Sequence, residues 1–186
     1  MEPIKSYNKK NKRDITTVYS SCQITKSIML PFSAVGKNIH QTIEQTIASM
    51  VEGKCIVEGF VKYNSVKILT FSSGLIKAEN VIFDVVFNCE VCFPVAGMLF
   101  NCVAKNITKA GIRAESSEED KSPFVLFIAR DHYFASDYFN SIEENDKFVA
   151  RVIAQRFELN DKYISIVAEL APQRDQNKDQ KPILVL

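Results

Sequence analysis

Tryptophan is absent from this 186-residue chain, and glycine, at six, is scarce. The glycines are not clustered, which excludes a glycine-rich phosphate-binding loop. Two histidines, His40 and His132, stand far apart. They leave Cys89-Glu90-Val91-Cys92, the single C-x-x-C, without the second ligand pair that a zinc site needs. No G-x-S-x-G elbow is present, and no cysteine sits in a sequence context that would lower its pKa. Catalysis has no positive support, and no metal or cofactor is expected. No apolar run approaches the roughly 20 residues needed to cross a bilayer. The start, Met1-Glu2-Pro3-Ile4-Lys5, lacks the layout of a secretory signal. Five cysteines, odd in number and irregularly spaced, read as reduced thiols. The expectation is a soluble protein of the nucleus or cytoplasm, not secreted and not membrane-bound.

Charge is nearly balanced, yet unevenly spread. Residues 1–93 carry 11 Lys/Arg against 8 Asp/Glu, and residues 94–186 carry 12 against 14. A protein that held nucleic acid tightly by itself would be far more basic. Any RNA contact is therefore expected to be weak and local.

Hydrophobic periodicity divides the chain. Residues 1–17, with Asn8-Lys9-Lys10-Asn11-Lys12-Arg13, form a polar basic run expected to be a disordered extension. A strand is predicted from near Val18 through Cys22, Ile24, Ile28 and Leu30. A helix then follows Gly36-Lys37-Asn38, with Asn38 as N-cap, the stripe Ile39, Ile43, Ile47, Met50, and Gly53 at its end. Strands are predicted over Cys55–Tyr63 and Val66–Phe71, turning at Asn64-Ser65. The clearest element is the alternation Val81, Phe83, Val85, Phe87, Cys89, Val91, Phe93, which requires one buried face. In such a strand Cys89 and Cys92 leave opposite faces, a second argument against a shared metal.

Pro94 and Gly97 break the chain, and the domain boundary is expected there. Five short strands follow: Leu99–Ile107, Ile112–Glu115, Phe124–Ala129, Phe148–Phe157 and Tyr163–Leu170, the last two joined at Asn160-Asp161. Five short strands in this span fit a closed Greek-key barrel of the OB type. The fold class expected is α+β then all-β, with a helix on an antiparallel sheet (a truncated RNP-like unit) over 18–93 and an OB-fold barrel over 95–170. Residues 171–186 are expected to be a polar tail. The acidic run Glu115–Asp120 reads as a mobile solvated loop. Lys105, Arg113, Arg130, Arg151, Arg156 and Lys162 lie along the barrel strands or at their ends. OB folds bind single strands through such cations and through aromatics, although an ordinary solvated surface carries the same charges.

Leu30-Pro31 and Gly36 precede the helix, and Glu52-Gly53-Lys54-Cys55 is followed by Gly59-Phe60. With Phe93-Pro94 and Gly97, this order resembles the stalk-subunit family of cellular RNA polymerases, which comprises the seventh subunit of RNA polymerase II and its archaeal counterpart. The second half is similar to the family's ribosomal-type OB fold through Gly97, the strand leading to Gly111, and Phe127-Ile128-Ala129-Arg130-Asp131-His132, with Asp131 inserted. The resemblance covers about residues 18–170.

It implies a non-catalytic subunit whose first unit, the tip, docks on the polymerase large subunits through Pro31, Gly36, Glu52, Gly53, Gly59 and Phe60. The barrel would contact single-stranded nascent RNA, with His132 joining the six cations. A small helical partner of the fourth-subunit type would pack along both units. Relatives often flank the hairpin glycine with aromatics. Here Ala110, Ile112 and Arg113 stand there, which weakens the expectation of stacking, and Arg113 is expected to replace the missing ring only in part. Such divergence suits a polymerase encoded by a large DNA virus, working in the cytoplasm or virion. The alternatives are a free OB-fold RNA-binding factor of translation or RNA decay, and an enzyme with a dispersed Cys/His site.

Overall fold

A computed structural model describes residues 15–133 and 136–171. Most of the expected basic extension (1–14) and of the expected tail (172–186) therefore lies outside the described residues. The chain opens with β1 (Ser20–Pro31), continues through a 3-10 turn (Phe32–Ala34), and enters α1 (Ile39–Val51). Next come β2 (Cys55–Ile56), β3 (Gly59–Val61), β4 (Lys67–Phe71), β5 (Leu75–Lys77) and the long β6 (Asn80–Cys92).

β6 is the spine of the first sheet. β1 pairs antiparallel along one of its edges from Ser20↔Val91 to Pro31↔Asn80, while β5, β4 and β3 share the other edge. The alternation read from the sequence decides which face is covered. Val81, Phe83, Val85, Phe87, Cys89 and Val91 are all buried, in one cluster with Ile24, Ile28 and Leu30 of β1 and Ile43, Ile47 and Val51 of α1. Phe87 is wholly buried, so truncating it to alanine would cost about 3–5 kcal/mol.

Local expectations needed four corrections here. Met50 is exposed, because Val51, four residues after Ile47, completes the inward stripe instead. Asn38 occupies the N-cap position without a side-chain capping bond. The strand expected over 55–63 is a hairpin, since Gly59, at φ +125°, turns the chain so closely against β6 that a Cβ there would lie 2.3 Å from the Cys92 carbonyl oxygen. Phe93 lies beyond the end of β6 and is exposed.

The second sheet is a closed barrel of β7 (Leu99–Ile107), β8 (Gly111–Ser116), β9 (Phe124–Ala129), β10 (Lys147–Arg156) and β11 (Ile164–Leu170), in the order β10-β11-β9-β8-β7. Only β9 and β11 run parallel; the other four pairings, including closure of β10 onto β7, are antiparallel. This connectivity is compatible with an OB-like barrel. Its interior is filled by alternate residues such as Phe100, Ile112, Phe124, Leu126, Ile164 and Ile166. Between β9 and β10 a 3-10 turn (Arg130–His132) and the short α2 (Asp137–Asn140) carry Tyr133 and Phe139, whose rings stack at 5.0 Å. The Tyr133 hydroxyl accepts a bond from Leu170 N–H at 2.8 Å, tying this cap to the end of β11.

The two sheets share no strand but meet along a packed join. Cys55, Phe60, Cys92 and Val18 belong to the barrel's buried cluster. Cys92 and Cys89 thus bury on opposite sides of β6, in different clusters. Two backbone bonds stitch the join, Cys55 N–H to Asp161 O and Asn160 N–H to Cys55 O, both 2.8 Å. No helix among the described residues is long and apolar enough to cross a membrane.

Candidate nucleic-acid interface

Strand register sets the outer face of the barrel. Arg113 on β8 lies opposite Phe127 on β9, Phe127 opposite Val167 on β11, and Val167 opposite Ala154 on β10. These four positions form one cross-strand row, and all point outward because Ile112, Ala114, Leu126, Ile128, Ile166 and Ala168 point in. Phe127 is 37% exposed and Val167 50%. The Phe127 ring thus stands on the third barrel strand with part of its plane open to solvent.

Gly111 explains how that ring lies. Its φ is +155°, and a Cβ there would come within 2.1 Å of the Ile128 carbonyl oxygen and 2.9 Å of Phe127 Cζ. Only glycine lets β8 run this close to β9 with the Phe127 ring lying over it. The hairpin glycine was legible from the sequence; its aromatic neighbour was not. Phe127 comes from the next strand, 16 positions away, so no local pattern around Gly111 points to it.

The seven expected RNA contacts are not gathered at one place. Arg113 is half-exposed in the row, with Glu115 at 3.6 Å. Lys105 sits at a bulge near the end of β7, and His132 is exposed on the 3-10 turn after β9. Arg130 is held: its guanidinium donates to the Thr108 carbonyl at 3.3 Å and to Asn140 Oδ1 at 3.2 Å, and it lies 5.0 Å from the Phe139 ring centre. These four group around the β7–β8 hairpin, the end of the barrel remote from the first sheet. Arg156, paired with Glu158 at 3.1 Å, and exposed Lys162 flank the β10–β11 hairpin at the other end. Arg151 makes a 2.6 Å ion pair with Glu169 across β10 and β11.

The six expected docking residues also separate. Pro31 and Gly36 are exposed, and nothing approaches within 4 Å of a Cβ built on Gly36. Beside Pro31, Phe32 is 59% exposed, and Met29, Ile82 and Leu75 form an apolar row across three strands on the uncovered face. Glu52 is occupied internally, its Oε1 accepting from Ser65 N–H and Val66 N–H at 3.0 and 3.1 Å. Gly53, φ +67°, lies under the Tyr63 ring, and Gly59 and Phe60 are buried at the join. These last three are inside the chain and present no surface to a partner.

The acidic run is not the loose loop expected. Glu119 pairs with Lys62 of the first half at 3.3 Å, and Lys62 also reaches Glu90 at 3.1 Å and lies over the Tyr19 ring. The Glu90 hydrogen bond first, then Glu119, holds the Lys62 ammonium above its ordinary pKa despite some desolvation. Burial, reinforced by Glu119, pushes the Tyr19 phenol up. Lys121 lies 5.0 Å from the Tyr63 ring centre, and Glu118 accepts from Asn101 at 3.0 Å. The run is a strut between the two sheets.

Among the described residues no group of three or more His, Cys, Asp or Glu side chains could hold a metal ion. Burial pushes the Cys92 and Cys102 thiols up to about 12 and the Cys55 and Cys89 thiols to about 11. Such buried thiols are poor nucleophiles toward molecules in solution.

No protein-family model matches the chain. The sequence is 26% identical over 159 residues to a protein of Acanthamoeba polyphaga mimivirus named "Putative DNA-directed RNA polymerase subunit", with 78% of this chain and 77% of that protein covered. A match of that extent cannot be confined to one of the two sheets.

Proposed function

We propose that the chain is a non-catalytic stalk subunit of a DNA-directed RNA polymerase, and that it contacts nascent RNA with its barrel. The observation that carries this reading is the similarity to the viral protein, which is too long to be confined to one sheet and covers about the same share of both chains. The barrel's connectivity supports it, since OB folds bind single strands on the face of their second and third strands. Phe127 and Arg113 occupy that face here. A ring and a guanidinium together stack bases and pair with phosphates without reading sequence.

On this reading the chain works as two units, 18–93 and 95–170, and travels with the polymerase. The first unit docks on the polymerase large subunits through Pro31, Gly36 and the neighbouring apolar row. A small helical partner of the fourth-subunit type packs across the join. Exposed Met50 and Val57 of the first half and Leu159 of the β10–β11 hairpin line one groove of about 380 Å³ there, a surface that suits a helix's apolar stripe.

The test is a native pull-down of the tagged chain from its own cells or infected cells, read by mass spectrometry. Recovery of polymerase large subunits in stoichiometric amount is the expected result. Recovery of RNA without polymerase would instead make the chain a free RNA-binding factor.

A further inference from the structure

Cys22 and Cys89 are the one pair of cysteines set in direct register, Cys22 on edge strand β1 opposite Cys89 on β6. Phe32, one step past β1, donates its N–H to Glu79 O at 2.9 Å. Counting back along the ladder from that bond, even positions of β1 exchange hydrogen bonds with odd positions of β6. Cys22 and Cys89 therefore form a hydrogen-bonded pair, whose Cα atoms stand about 5.5 Å apart. That lies within the separation of about 4.4–6.8 Å that a disulfide spans.

Both side chains leave the same face. Cys89 is in the helix-covered cluster, and Cys22 packs against it. Cys22 is half-buried, whereas Cys89 is 1% exposed. The remaining thiols supply a contrast. Cys55 and Cys92 both neighbour Phe60, one on each side, so two strand spacings of about 5 Å separate them. Cys102 lies alone within the barrel cluster.

We propose that Cys22 and Cys89 are a thiol–disulfide pair, an oxidation site that staples the edge strand to the spine of the first sheet beside the join. The oxidant is a low-molecular-weight disulfide. The Cys22 thiolate attacks one sulfur of it, the small S–S bond breaks, and one small thiolate leaves, giving a mixed disulfide on Cys22. The buried Cys89 thiol, in register beside it, then attacks the Cys22 sulfur, and the second small thiol is expelled carrying the Cys89 proton. The protein dithiol loses two electrons and the small disulfide gains two. Cys22 acts first because it is the accessible member, and buried Cys89 resolves. The staple closes a loop of more than 60 residues, so it restricts the unfolded chain strongly.

The test uses the full chain and oxidised glutathione under native conditions. Titratable thiols, five in the reduced chain, should fall by two. Peptide mapping should join Cys22 to Cys89, cleavage after Glu90 separating Cys89 from Cys92. In Cys89→Ser, glutathione should remain trapped on Cys22, while Cys22→Ser should leave Cys89 untouched. Oxidised wild type should melt higher by on the order of 5 °C, reversibly on adding reductant and not in Cys22→Ser. Three wild-type results overturn the pairing, whatever the variants do: glutathione left on Cys22 beside a free Cys89 thiol, a link that forms only in denaturant, or no reaction of any thiol.

Discussion

Replacing Phe127 by leucine separates the two things its ring does. The side chain lies over Gly111 and fills space on the outer face, and it offers an aromatic plane to solvent. Leucine keeps apolar bulk over Gly111 and removes the plane. At 37% exposure the ring is outside the barrel interior, so stability should change by no more than about 1 kcal/mol. Base–aromatic stacking is worth about 1–3 kcal/mol per base. Phe127→Leu should therefore weaken single-stranded RNA binding by about 5- to 150-fold. Phe127→Tyr, which keeps the plane, should bind within about 2-fold of wild type on the same stacking argument. Fluorescence anisotropy with a short unstructured RNA at fixed salt measures binding, and a denaturant titration checks the fold. If Phe127→Leu is folded and binds RNA as wild type does, the outer row is not a stacking platform.

Arg113→Glu should lower RNA crosslinking more than Arg113→Lys, because lysine retains the charge but not the planar guanidinium; equal losses would remove stacking from its role. Met29→Glu, on the exposed apolar row, should reduce recovery of polymerase large subunits while leaving RNA binding and the melting temperature intact. Gly59→Val should cost about 3 kcal/mol or more in a denaturant titration, since φ +125° and the Cys92 carbonyl at 2.3 Å leave no room for a side chain. For alkaline pH, Cys92 and Cys102 keep their protons to about 12 when folded, against an ordinary 9.0 when unfolded. Their contribution is full below pH 9 and is lost as pH rises toward 12. Alkaline melts should show that fall, and Cys102→Ala should flatten it.

Elements with a single unambiguous period were legible in the sequence. β7 and β9 have the ends expected, and β6 was recognisable because its alternation runs through six buried side chains. β5, at three residues, is too short for any period, and its pairing with β6 rests on the turn at Ala78, φ +53°. The β2–β3 hairpin was hidden because Cys55 and Phe60 are apolar for a reason outside their own sheet: they face the barrel. The candidate site follows the same rule. Arg113 and the hairpin glycine are local to one strand and could be named, whereas Phe127 joins them only through the β8–β9 register. Gly53, Gly59 and Phe60 were assigned to a docking surface on the strength of a resemblance. Their burial belongs to the join, which a linear reading does not display.

That join bears on how the proposed subunit would work. The apolar row Met29–Ile82–Leu75 lies toward the start of β6, and Cys92 enters the barrel cluster at its other end, so the strand between them separates the two by about 33 Å. The Arg113–Phe127 row lies farther still, toward the barrel end remote from Asn160 and Asp161, which bond to Cys55. A surface gripping a polymerase and a surface touching RNA would thus be held apart by one continuous strand and one packed contact. The contact is not a flexible linker: Phe60 and Cys92 are buried in it, two backbone bonds cross it, and Lys62 ties Glu90 of β6 to Glu119 of the barrel's acidic run. Exposed ion pairs are weak and screened by salt, whereas burial at Phe60 and Cys92 is insensitive to it. Raising ionic strength should accordingly loosen the acidic strut and leave the apolar part of the join closed. Hydrogen exchange would then increase around residues 117–121 while the amides of Cys55 and Asn160 stay protected, and simultaneous loss of both would show that the ion pairs, not the apolar contact, hold the two sheets together.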